Sequence, residues 1–198
     1  MKNHVVIIGF GSKGKNIMEE SLFKKEKVLI IENNPFNQNL PAIKSHRCSF
    51  FMGDANNKST LLKARITRAR KVFLLMGDDN SQVNAVMLVY QLLKKSQRNE
   101  NDALPCIMHL QKQEFLNTMR NHKLVKDAHD GIMLNIFNIY ENSARELFED
   151  NPPDRSGINF DINKNVWILI FGFGKAGEVL ALQTAHTGIY LNGKKNRY

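Results

Sequence analysis

The sequence predicts an α/β chain built on a doubly wound parallel sheet, and two observations carry that prediction. Short apolar runs alternate with stretches of helical period from residue 5 to about residue 120, the rhythm of a parallel sheet wrapped by helices. The first run, VVII, leads into three glycines spaced G-x-G-x-x-G (Gly9, Gly11 and Gly14), and the same device returns near the other end at Gly172, Gly174 and Gly177.

The elements follow in order. Val5 to Ile8 is an unbroken β-branched run, the pattern of a strand covered on both faces. Beyond the glycines, Gly14, Ile17, Met18 and Leu22 recur at helical spacing, and KVLII at 27–31 returns as a second buried strand that ends at Glu32. CSFFM at 48–52 reads as a third strand. Ser59 to Ala69 reads as one helix with Leu62, Ile66 and Ala69 along one side, and KVFLLM at 71–76 as a fourth strand. A helix over Gln82–Leu93, a strand over Pro105–Leu110 and a short helix over Glu114–Arg120 complete a Rossmann-like domain. From Ile136 the period lengthens again: Ile136, Phe137, Tyr140, Ala144, Leu147 and Phe148 mark an amphipathic helix, stopped by NPPDRSG at 151–157. The expected division is a nucleotide-binding domain at 1–150, a linker at 151–164, and the start of a second, truncated Rossmann-like domain at 165–198. That second part opens with a strand at Val166–Phe171.

Composition narrows the function classes. The 198 residues hold 28 Lys and Arg against 19 Asp and Glu, a net charge of +9. The basic clusters at 24–27, 63–71, 94–98 and 193–197 are scattered as solvated faces are. With no helix-turn-helix, zinc-finger or RNP pattern, no nucleic-acid partner is expected. Two cysteines, Cys48 and Cys106, make neither a disulfide framework nor a metal cluster, and the apolar runs fall short of the ~20 residues that span a bilayer. A cytoplasmic chain is expected.

The glycine spacing has a physical reading. The first glycine permits a tight turn, the second lets backbone approach a pyrophosphate, and the third lets helix and strand pack closely, while the helix N-terminus offers N–H groups to phosphate. Gly9, Phe10, Gly11, Ser12, Lys13 and Gly14 are therefore the expected phosphate cradle. Glu32 ends the next strand, about 20 residues past the turn, where its carboxylate can accept from both ribose hydroxyls and would repel a 2′-phosphate. The following residues are Asn33 and Asn34 rather than Arg. NAD(H) is the expected ligand over NADP(H), with ADP or ATP as alternatives; the other reading of Glu32 is an exposed strand-end residue with no ligand.

No catalytic set emerges. Cys106 and His109 lie three apart on a predicted strand and point to opposite faces. Asp127, His129 and Asp130 read as a solvated loop cluster rather than a metal site, and Lys126 and Tyr140 do not make the Tyr-x-x-x-Lys spacing of short-chain dehydrogenases. A non-catalytic, ligand-regulated module is expected, the alternative being an NAD-dependent oxidoreductase whose substrate domain lies beyond Tyr198.

The stretch SFFMGDANNKSTLLKARITRARKVFLLMGDD resembles the regulator-of-potassium-conductance family, also called KTN or TrkA-N domains. The resemblance rests on Gly53-Asp54-Ala55 after the third strand, on Leu61, Ala64, Ile66 and Ala69, and on Gly77-Asp78-Asp79-Asn80 with Asn84, and it covers about residues 4–120. It implies that Asp54 meets the adenine amino group, that Ala55 gives a backbone contact to the ring, and that Met76, Gly77 and Asp78 rim the distal half of the ligand. Asp54 has a second reading as a turn-capping residue, and Asp78 and Asp79 as caps of the helix that begins near Ser81. The resemblance further implies tandem domains in a homodimer or larger ring that gates a potassium channel or transporter, the soluble part lying at the inner face of the membrane. The helix over 136–148 resembles the crossover helix through which such domains dock; its other reading is core packing within the first domain.

Overall fold

The computed structural model describes residues 1–46, 48–96, 98, 100–122, 125, 130–152 and 167–187. The chain divides into two units, residues 1–137 and 138–198.

Unit 1 holds six parallel strands: β1 (Val5–Ile8), β2 (Val28–Glu32), β3 (Ser49–Met52), β4 (Lys71–Leu74), β5 (Leu104–His109) and β6 (Ile132–Phe137), in the order β3-β2-β1-β4-β5-β6. Alternation along β1 and β2 explains why both are wholly apolar. Val6, Ile8, Leu29 and Ile31 join one core, and Val5, Ile7, Val28 and Ile30 the other. The first core packs under α3 (Lys58–Lys63), α4 (Asp79–Lys94) and α5 (Gln113–Arg120) through Leu61, Val86, Val89, Leu93 and Leu116. The second packs under α1 (Ser12–Phe23) and α2 (Leu40–Ser45) through Met18 and Ile43. Helices therefore cover both faces, as the strand–helix rhythm predicts.

The chain winds outward from β1 to β3, returns to β4 beside β1, and continues to β6. That reversal opens a crevice beyond the carboxyl ends of β1 and β4, the position where open α/β sheets hold ligands. Backbone bonds from Gly9 N to Ile31 O (2.9 Å), Gly53 N to Glu32 O (2.9 Å) and Leu75 N to Ile8 O (2.8 Å) carry the pairing past the strand ends and fix the walls of the crevice.

Three readings of the sequence need correction. The helix expected over 59–69 stops at Lys63, Arg65 turns into the left-handed region (φ 51°), and the chain resumes as a 3-10 turn at Ile66–Arg68. This break shifts the phase, so that Leu61 and Ile66 are both buried while Leu62 is 53% exposed. Ile136 and Phe137 belong to β6, paired with Met108 and His109 of β5. The helix (α6, Ile139–Asp150) begins after Asn138, whose side chain caps it by accepting from Tyr140 N (2.8 Å) and Glu141 N (3.2 Å).

The third correction lies in unit 2, described by itself. It pairs α6 with α7 (Lys175–Thr187) around an apolar cavity of about 470 Å³ lined by Leu147, Phe148, Ile168, Ile170, Leu180 and Thr184. The described part of the expected strand at 166–171 forms no ladder. Trp167 is 80% and Phe171 95% exposed, although the run reads as doubly covered. A buried-strand composition specifies a strand only where neighbouring strands accept its hydrogen bonds. Among the described residues, no helix is long and apolar enough to cross a membrane.

Candidate functional site

The glycine turn sits where the strand order reverses, and each glycine has its own constraint. Gly9 adopts φ +88°, and a side chain there would place Cβ 2.9 Å from the Leu75 carbonyl and from Met76 N, so the close approach of β1 to the end of β4 admits only glycine. At Gly14 a Cβ would lie 2.4 Å from the Gly9 carbonyl oxygen, which makes this glycine the contact between α1 and the turn. Gly11 is different: a Cβ would meet nothing within 4 Å. Its conformation (φ −71°, ψ −170°) suits any residue, yet Gly11 is the N-cap of α1, no side chain caps that helix, and its first turn holds no acidic residue. Lys15 N is the first to reach an intrahelical acceptor, the Gly11 carbonyl (3.0 Å), so the N–H groups before it stand ahead of the helical ladder at the positive end of the helix dipole.

Phe10 divides its roles. Its ring is fully buried in the core, and its backbone faces the crevice, the N–H donating to Glu32 Oε2 (2.8 Å) and the carbonyl accepting from Asn37 Nδ2 (3.0 Å) and Asn39 Nδ2 (3.3 Å). Glu32 is only 6% exposed. Besides the bond from Phe10, its Oε1 accepts from Asn33 N (2.8 Å) and Asn34 N (2.9 Å), and its Oε2 from Asn37 Nδ2 (2.8 Å). The alternative reading of Glu32 as an exposed strand-end residue is thereby corrected as to exposure. The carboxylate is buried, ties β2 to the glycine turn, and fills about four acceptor places, the capacity of an ionised carboxylate.

Asp54 is exposed at the end of β3, with Oδ1 closing a local turn onto Asn56 N (2.9 Å), and Ala55 beside it is buried. Gly53 is held close to Thr60, whose Cγ2 would lie 2.9 Å from an added Cβ. On the other wall, Asp78 caps α4 by accepting from Ser81 N (2.7 Å), and this bond holds its carboxyl below the usual range. Asp79 is buried and accepts from Gln111 N (3.0 Å) and Lys112 N (2.8 Å), pinning the loop after β5 to the start of α4. The capping reading of this acidic pair holds for Asp78 and is corrected for Asp79, which is the first residue of α4 and bonds across to the loop after β5 instead. Gly77 is open, with nothing within 4 Å of an added Cβ, and its carbonyl accepts from Gln111 Nε2 (3.0 Å). The structure thus brings the turn, Glu32 and Asn33 together at the ends of β1 and β2, with Asp54 and Ala55 after β3 and Met76, Gly77 and Asp78 after β4.

Two residues at the strand ends escape sequence reasoning. Gln82 is fully buried and its Nε2 donates to the carbonyls of Met76 (3.0 Å) and His109, bridging the ends of β4 and β5. Its spacing from Asp79 on one helix face is the signal that could have found it. Asn37 had no such signal, because its bonds to Glu32 and Phe10 arise from loop geometry.

The remaining chemistry is modest. Cys106 packs in one core while the His109 ring packs against Phe137 (centroids 5.1 Å), which sits against the other core. The two lie on opposite faces, as their spacing predicts. Burial pushes the Cys106 thiol up to about 12, far from thiolate chemistry at neutral pH. Asp130 accepts from Tyr90 Oη (2.6 Å) and lies 3.5 Å from Lys94 Nζ. Asp127, His129 and Lys126 lie outside the described residues, among which no group of three or more His, Cys, Asp or Glu could hold a metal ion.

The second glycine turn repeats the first in local geometry. Gly172 adopts φ +93°, and a Cβ on Gly177 would lie 2.1 Å from the Gly172 carbonyl oxygen.

Comparison with known proteins places this arrangement. A protein of Methanothermus fervidus with no described function is 33% identical over 79 residues, which is 40% of this chain and 12% of that protein. Among solved structures, the GsuK channel superposes with a TM-score of 0.67 at 15% identity, covering 94% of this chain and 41% of the channel chain, and structures of GsuK with NAD and with ADP are also similar. The TrkA-N domain of the inner membrane protein ybaL of Escherichia coli superposes with a TM-score of 0.59 at 14% identity, covering 76% of this chain and 98% of that domain. At such identities these likenesses show the fold. The model of the TrkA-N domain matches residues 5–125, more than half of the chain, and the chain belongs to the TrkA-N domain family.

Proposed function

We propose that unit 1 binds an adenine nucleotide in the crevice at the ends of β1 and β4, NAD(H) foremost with ADP or ATP as alternatives, and serves as a regulatory module. The observation that carries this reading is the glycine turn: Gly9 and Gly14 are locked by close contacts, Gly11 is open, and α1 begins uncapped at the reversal of the sheet. Phosphate would lie against the first turn of α1 at Gly11, Ser12 and Lys13. Glu32 and Asn33 would face the ribose, Asp54 and Ala55 the adenine, and Met76, Gly77 and Asp78 the distal half. The fold of the NAD- and ADP-bound GsuK structures supports this reading.

The same likeness supports a wider role, in which the chain assembles as a homodimer or larger ring and regulates a potassium channel or transporter from the cytoplasmic side. The repeated geometry at Gly172 and Gly177 supports two such folds in tandem. Nucleotide acts here by binding one arrangement of the assembly more tightly than another.

Calorimetric titration with NAD⁺, NADH, ADP and ATP tests the reading, with Asp54→Ala as comparison. Saturable binding of one nucleotide, weakened at least several-fold by Asp54→Ala and unaccompanied by turnover, supports it. Absence of binding by all four refutes it, and hydride transfer to a substrate would favour an oxidoreductase instead.

A further inference from the structure

Glu32 accepts from Phe10 N, Asn33 N, Asn34 N and Asn37 Nδ2, and three of those donors are backbone N–H groups fixed by the turns at the strand ends. Asn37 is the one side chain among them. Its orientation is set by its neighbours: Oδ1 accepts from Asn39 N (2.9 Å), while Nδ2 faces two acceptors, Glu32 Oε2 and the Phe10 carbonyl. Rotating the amide by half a turn would set oxygen against oxygen at both. The Asn37 side chain therefore spans from the loop after β2 to the glycine turn, across the carboxylate that ribose must reach.

A ribose diol needs free acceptor capacity on Glu32, and about four bonds fill a carboxylate. We infer that Asn37 is a self-made occupant of the ribose place, and that an adenine nucleotide binds by displacing its amide from Glu32 Oε2. This inference rests on the nucleotide reading of the crevice and adds its regulation: affinity is set by competition between a ribose hydroxyl and a residue of the loop after β2. The bond lost is to a charged acceptor and only part of it is regained from ribose, so removing the competitor raises affinity. Asn37 is half-buried in a loop, which makes its truncation tolerable to the fold.

The test is titration of wild type, Asn37→Ala and Asn37→Ser with NAD⁺, with ADP and with 2′,3′-dideoxyadenosine diphosphate, each protein's thermal unfolding being recorded. Both variants should bind ADP or NAD⁺ about tenfold tighter than wild type, a gain equal to one hydrogen bond to a charged group. The dideoxy analogue, which has no hydroxyl to take the freed place, should gain less than about twofold. Equal or weaker binding of the diol ligands by both variants overturns the inference and leaves the nucleotide reading standing. An equal gain for the dideoxy analogue also overturns it, because the loop would then act without reference to ribose. Binding of no ligand to any of the three proteins overturns the nucleotide reading and the inference together.

Discussion

Replacing Glu32 by alanine removes a carboxylate that is 6% exposed and accepts four hydrogen bonds. Asn33 and Asn34 are exposed, so their N–H groups can turn to water, whereas the Phe10 N–H lies between a buried side chain and the turn. A hydrogen bond to a charged group contributes about 1.5–3 kcal/mol, and a buried donor left without an acceptor costs about 1–3 kcal/mol. Counting the Phe10 bond in full and the exposed bonds at a small fraction, the variant should lose about 3 kcal/mol, roughly 10 °C in Tm for a unit of this size. Glu32→Gln, which keeps one acceptor oxygen, should lose about half as much. Urea unfolding followed by far-UV circular dichroism reads the difference, because the single tryptophan, Trp167, belongs to unit 2 and would report on the wrong part of the chain. A loss below about 1 kcal/mol for the alanine variant would show that Glu32 does not close the strand end.

Gly14→Ala should cost about 3 kcal/mol or more, because the new methyl would lie 2.4 Å from a backbone oxygen that cannot retreat, while Gly77→Ala should stay within about 0.5 kcal/mol of wild type. Equal urea midpoints for the two variants would contradict the packing described at the turn. Asp79→Ala should lose about 2–3 kcal/mol by freeing the N–H groups of Gln111 and Lys112, and an unchanged midpoint would remove Asp79 as the pin of that loop. Burial holds the His4 imidazole below its ordinary pKa of 6.5, with Nε2–H donating to the Ala64 carbonyl (3.0 Å). As pH falls the unfolded chain takes up this proton first, so the contribution of neutral His4 is complete above about 6.5 and is lost as pH drops from there toward the lowered folded value. Urea midpoints between pH 7.5 and 5.5 should fall for wild type and fall less for His4→Gln; equal slopes would contradict this.

The sequence made β1, the glycine turn and Glu32 legible because each rests on local chemistry. VVII can only be a doubly buried strand, three glycines at that spacing answer to steric needs within six residues, and an acidic strand end follows at a fixed distance. β6 is less legible because its apolar run adjoins that of α6, so a helical period takes in Ile136 and Phe137, although Asn138 caps the helix only after them. The break at Arg65 rests on a non-glycine residue in the left-handed region, for which composition gives no warning. Asn37 and Gln82 were invisible for a different reason. Each makes bonds that bring together strand ends distant in sequence, and neither hydrophobic period nor motif spacing records a polar side chain aimed at a carbonyl. Trp167 to Phe171 shows the reverse case, a run of strand composition whose described residues pair with no neighbour.

We propose that the uncapped N-terminus of α1 receives phosphate, and Gly11→Asp separates that role from any part in the fold. A side chain at Gly11 meets nothing within 4 Å and the backbone there suits any residue, so the fold should tolerate aspartate, which is a good N-cap and sits favourably at the dipole. The same carboxylate would occupy the N–H groups at which phosphate is proposed to bind and repel its charge. Calorimetric titration of wild type and variant with NAD⁺ and ADP, beside their unfolding curves, should show a Tm equal to or above wild type together with a loss of nucleotide affinity of about 100-fold or more. Undiminished binding by a folded Gly11→Asp protein would contradict the claim, as would a wild-type chain that binds neither nucleotide.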